Sequence, residues 1–257
     1  MITNPVFRNF ESADVLDARS NSNTPVMTLS GITNKSLLLM VAATVVAVIT
    51  SSRCTPWINT HHGHAAYIAV KSFFSIPFFA GIALVAATLW RKQIAPITAP
   101  LFAISEGVAI GIVSAVIDEL HPGVTLELVG MTVAMYACVL IAYGIGKLTV
   151  ASELKQKVFA AVCGAIAYCA GTALLAFAGV RNLPIATAGV SGFFVSLAII
   201  AMPATALIAT CDAALQYARE RYPKYMEWYA ALGIVASLVW IYWEMIGMFL
   251  DKQRRAA

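Results

Sequence analysis

Seven stretches of this chain are apolar for about 20 residues each, the length a helix needs to cross a bilayer. They cover residues 36–52, 66–90, 97–117, 124–145, 158–180, 185–210 and 228–250. In hydrocarbon no water is at hand to satisfy backbone N–H and C=O groups, so only helices and closed barrels cross. A tilted barrel strand needs only about 10 residues with strict alternation. These runs are longer and do not alternate, which predicts an all-α integral membrane protein with seven transmembrane helices. Composition leads to the same place. Of 257 residues, 60% are hydrophobic and 12% charged. Soluble domains carry roughly 25% charged residues, and so few charges could not cover a water-facing surface. A soluble enzyme, a disordered chain and a disulfide-stapled secreted scaffold are therefore excluded.

Residues 1–35 read as a polar, disordered tail, 36–250 as the transmembrane domain, and 251–257 as a basic C-terminal tail. The polar lead is too long for the charged region of a signal peptide, so no cleavable signal is expected. Lys and Arg number 11 on the side of the N-terminal tail and 6 on the other. The positive-inside rule then puts the N-terminus in the cytoplasm, and an odd number of spans puts the C-terminus outside. The net charge of +4 fits cytoplasmic loops, and no aromatic-interleaved basic patch supports nucleic-acid binding. Of five cysteines, Cys138, Cys163, Cys169 and Cys211 sit in apolar runs as small hydrophobes, and Cys54 has no loop partner.

Three acids fall within spans: Glu106, Asp212 and Glu244. A carboxylate at membrane depth is costly, so each should face the bundle interior or water. The plainer alternative is a hydrogen-bonded acid that only fixes helix packing. With almost no bases inside the spans, the acids favour proton or cation handling over anion transport. Repulsion between neighbouring carboxylates would make one of them keep a proton and so respond to pH. Gly107 and Gly111, flanked at the same spacing by Ala103 and Ala115, form a small-residue stripe that lets a neighbouring helix approach. His61, His62 and His64 lack accompanying carboxylate or thiolate ligands, so a polar loop is preferred to a metal site. The five tryptophans suit belts and packing, and Arg219-Glu220-Arg221 suits a solvated helix end. No catalytic triad, HExxH pattern or phosphate loop appears, so the chain is not expected to be an enzyme and needs no cofactor.

The segments LFAISEGVAIGIVSAV (Leu101 to Val116), ATCDAALQYARERYPKYMEWYAALG (Ala209 to Gly233) and LVWIYWEMIGMF (Leu238 to Phe249) resemble the bacterial Bax inhibitor-1/YccA family. So does the opening, where Asn4-Pro5-Val6-Phe7 leads to MTLSGITNKS (Met27 to Ser36). The resemblance implies seven helices with the last one central, in the bacterial inner membrane. It also implies a pH-sensitive calcium leak, with calcium as permeant ion. In that scheme an acid on helix six and an acid on helix seven share a proton, and a base at the end of helix two locks them. The matching positions are Asp212, Glu244 and Arg91, with Arg254 similar to a further basic residue. This chain departs in having Glu at the helix-seven position and a gap of 32 residues between the acids. With a turn at Pro223, straight helices separate them by roughly 16 Å. They meet only if the turn lies nearer Glu227 or if residues between Asp212 and Trp228 unwind.

Two functions follow as expectations. One is a proton-gated, calcium-permeable leak channel. The other is a non-transporting regulator of a membrane protease or stress response, which would need a membrane protein partner besides the lipid.

Overall fold

A computed structural model of the chain describes residues 25–60, 64–144 and 207–256. They form helices α1 (Leu29–Thr60), α2 (His64–Trp90), α3 (Ala95–Leu120), α4 (Val124–Gly144), α5 (residues 207–219) and α6 (Met226–Ala256). Among the described residues, four segments are long and apolar enough to cross a membrane: Leu29–Ile58, Ser72–Trp90, Lys92–Leu120 and Met226–Gly247. The expected fifth span and most of the sixth, the 147–157 connection and His61 and His62 lie outside the described residues. The chain divides into two compact units, Met1–Leu120 with Ala213–Val235, and His121–Asp212 with Ala236–Ala257.

In the first unit α1 and α2 both pack on α3. Between Gly31 and Pro56, α1 has neither glycine nor proline, so nothing breaks its hydrogen-bond ladder. Its hydroxyls bond back to its own carbonyls, Thr44 Oγ1 to Met40 O at 2.9 Å for one, which satisfies them without water. One stripe of α1, Ile32, Ser36, Leu39, Ala43 and Ala47, is buried, while Leu38, Val41, Val45, Val48 and Ile49 face outward. On α2 the exposed residues include Phe73, Ile76 and Phe79. Such apolar outer faces suit lipid, since water-soluble monomers rarely expose contiguous apolar surface on this scale.

Residues 25–35, assigned from sequence to the polar tail, belong to the folded part. Met27 and Ile32 are buried, and α1 begins at Leu29. The reason is amphipathic spacing: Ile32, Ser36 and Leu39 share a helix face, so the helix gains burial before the apolar run starts. At the other end, α6 stays helical through Ala256, so the basic stretch that begins at 251 extends the last helix.

After α2, Arg91 is extended (φ −128°, ψ 93°), and a 3-10 turn, Lys92–Ile94, leads into α3. Pro96 lies in the first turn of α3, where its missing N–H costs nothing. Thr88 Oγ1 donates to Thr98 Oγ1 at 2.6 Å, and Ser105 Oγ to Pro77 O at 2.7 Å, which fixes the antiparallel register of α2 on α3. Gly107 and Gly111 face α1. A Cβ at either would stand 2.6 Å from Ala43 O or 2.5 Å from Ala47 O. The glycines therefore permit backbone-to-backbone approach.

The start of α6 is enclosed on every side. Tyr229, Ala230, Ala231 and Leu232 have no exposed surface, and four consecutive residues span a full helical turn.

In the second unit, α4 buries Val124, Leu128, Met131 and Met135, a stripe at helical spacing. Gly123 before it has φ 91°, a left-handed conformation that favours glycine. His121 packs edge-on against Phe249 with ring centroids 5.3 Å apart. Thr210 and Ser237 share a hydroxyl hydrogen bond at 3.2 Å, tying α5 to α6.

Candidate functional site

Glu106 stands halfway along the Lys92–Leu120 span and is 3% exposed. Its position follows from helix periodicity: Phe102, Ala103, Glu106, Gly107 and Ile110 form one buried face of α3. The carboxylate lies against the backbone of Gly81 on α2, where a Cβ would collide with Oε1. One residue away, Ser105 donates to the carbonyl of Pro77. This bond, one helical turn from Gly81, ties α3 to α2 beside the acid. A lone ionised acid at the bilayer centre costs about 2.5–3.5 kcal/mol on insertion scales. The fold answers by turning Glu106 inward, and it has a partner within the protein.

Asp212 and Glu244 both belong to the second unit. Asp212 is half-buried, next to buried Cys211 and two residues beyond Thr210. Glu244 is exposed on α6 and accepts the Trp240 indole N–H at 3.0 Å. The hydrogen bond between Thr210 and Ser237 sets the helices' axial register. Asp212 lies two residues to one side of it and Glu244 seven to the other, so the acids are offset by about 13 Å along the helix axes. Helix α5 runs unbroken from 207 to 219, and α6 begins at Met226. Residues 220–225 between them are non-helical, so part of the segment from Asp212 to Trp228 is unwound, yet the acids keep this axial offset.

Of the two bases closing α2, Arg91 is exposed and Lys92 is buried, its ammonium 5.9 Å from the ring centre of fully buried Tyr229. Arg254 lies in the last turns of α6. Among the described residues no group of three or more His, Cys, Asp or Glu side chains could hold a metal ion.

Sequence reasoning missed three buried charges, Lys92, Glu127 in the first turn of α4 and Glu227 in the first turn of α6, and the role of Lys35. Lys35 is only partly covered, but it serves Glu227, the most connected of the three. One oxygen of Glu227, a residue 1% exposed, accepts both the backbone N–H and the hydroxyl of Thr28, each at 2.9 Å. The other oxygen pairs with the Lys35 ammonium, which also sits 5.2 Å from the Trp228 ring centre. Gly31 leaves the room this carboxylate occupies. The available signal was an acid one turn past a proline turn, since helix N-termini favour negative charge. It was hidden in a segment whose basic residues, Arg219, Arg221 and Lys224, are exposed.

Apolar-faced helices long enough to span a bilayer, with Glu106 turned inward at mid-span, define a multi-pass α-helical membrane protein. Its sequence matches the family model described as Bax inhibitor 1 like over residues 4–253, nearly the whole chain. The protein belongs to that family. No curated protein and no solved structure matches the chain.

Proposed function

We propose that this protein is a proton-gated, calcium-permeable leak in the bacterial inner membrane, with its N-terminus in the cytoplasm. The observation that carries the reading is Glu106, a carboxylate at the middle of an apolar span, turned away from lipid and buried. An acid so placed marks an ion or proton path by default. Asp212, half-buried in its own unit, is the proton-sensing residue, and its protonation sets which state is populated. Glu244, exposed and held by Trp240, attracts cations, and Arg91 and Arg254 are the candidate locking bases.

Purified protein in liposomes loaded with a calcium dye tests this at several pH values. Asp212→Asn keeps the shape and removes the charge, so the variant should fold and lose most of the pH dependence of flux. Glu106→Gln should reduce flux at every pH, because a neutral amide no longer stabilises a passing cation. Glu244→Gln should leave the pH profile intact, as expected for acids about 13 Å apart, and Arg91→Gln reports on the lock. A parental profile from Asp212→Asn removes the sensor assignment. A parent protein that passes no calcium at any pH would favour the non-transporting regulator.

A further inference from the structure

The segment that precedes α1 is bonded to the turn between α5 and α6. Met27 N–H donates to Tyr222 O at 2.7 Å, and Lys224 N–H donates to Pro25 O at 2.8 Å. Together they make an antiparallel bridge centred on Val26 and Pro223. Met27, Tyr222, Pro223 and Met226 are buried beneath it. The turn it holds is strained. Arg221 sits at φ 62°, a left-handed conformation that a non-glycine residue keeps only when its surroundings impose it. Around Arg221 the turn's own bonds are long, Arg221 N–H to Ala218 O at 3.3 Å and Tyr222 N–H to Tyr217 O at 3.5 Å. The closer bonds on Tyr222 and Lys224 come from residues 25–27, on a part of the chain nearly two hundred positions away.

Next to this bridge is the buried carboxylate of Glu227, which binds Thr28 through one oxygen and Lys35 through the other. It thus joins the end of the bridge to the first turns of both α1 and α6. We propose that residues 25–28 form a releasable strap over the α5–α6 turn, pinned by Lys35 and Glu227, and that the closed strap inhibits the leak. The inhibitory role rests on the leak reading above. Release frees the turn to relax from the Arg221 conformation and alters the hairpin whose helices carry Asp212 and Glu244.

The test follows two quantities on the same full-length variants: amide hydrogen exchange at Met27 and Lys224, and calcium flux in liposomes. Lys35→Met removes the pin and leaves the backbone untouched. It should speed exchange at both amides by about tenfold and raise flux at the pH where the parent is least active. Lys35→Arg keeps the charge and should behave as the parent in both. If Lys35→Met does not fold, Glu227→Gln serves, since its amide oxygen still accepts from Thr28 while the ion pair is gone. Unchanged exchange in the pin variants overturns the strap. Faster exchange with parental flux overturns its inhibitory role. A parent silent at every pH overturns the leak reading itself and the inhibitory role with it, an outcome distinct from either variant result.

Discussion

At the scale of single residues, four glycines show how differently one atom can matter. A Cβ at Gly107 or Gly111 meets carbonyl oxygens of α1, and a backbone cannot step aside as a side-chain end can. At Gly81 the obstacle is the tip of Glu106, and at Gly247 nothing lies within 4 Å. Gly111→Leu should therefore destabilise the protein by about 1–3 kcal/mol through overpacking. Gly247→Ala should be neutral or stabilise by up to about 1 kcal/mol from helix propensity. Melting of both proteins in detergent checks the pair, and equal melting points would show that Gly111 is not at a close contact. The small-residue stripe was readable from spacing alone. Which helix it meets was not, because spacing on α3 carries no information about its neighbour.

At the scale of elements, the turn between α5 and α6 concentrates the local cost. Arg221→Gly places a residue at ease with positive φ in the left-handed position, offset by the greater entropy of glycine in the unfolded chain. It should leave stability level or raise it by at most about 1 kcal/mol. Arg221→Val puts a branched Cβ where left-handed geometry crowds it and should cost about 1–2 kcal/mol. Thermal melts of the two variants read this directly, and a more stable valine variant would contradict the turn geometry. The four described spans were legible because apolar length is a one-dimensional property of the sequence. The start of α1 at Leu29 was not, since residues 29–35 are polar by composition and are helical because one face of them is buried. Glu227 illustrates the same limit: its partners Thr28 and Lys35 come from the far end of the chain, and only the fold brings them together.

At the scale of the whole molecule, the proposed cytoplasmic N-terminus makes a prediction about every later segment. On the seven-span reading Lys and Arg divide 11 to 6, and reporter fusions at Lys92, Glu153 and Ala257 should then signal cytoplasm, cytoplasm and outside. A cytoplasmic signal at Ala257 would mean that one apolar segment enters the membrane without crossing it. The tryptophans suit a crossing arrangement, since Trp57 near the end of α1 and Trp90 at the end of α2 are both exposed at helix ends, where interfacial belts form. One further consequence concerns synthesis. Thr28 and Glu227 are 199 residues apart in sequence. While the ribosome is still working through the intervening helices, the donors of Thr28 and the ammonium of Lys35 stand at the membrane border without their acceptor. An unfinished or truncated copy therefore differs from a finished one at its earliest-made end, where these donors and this charge await the far end of the chain.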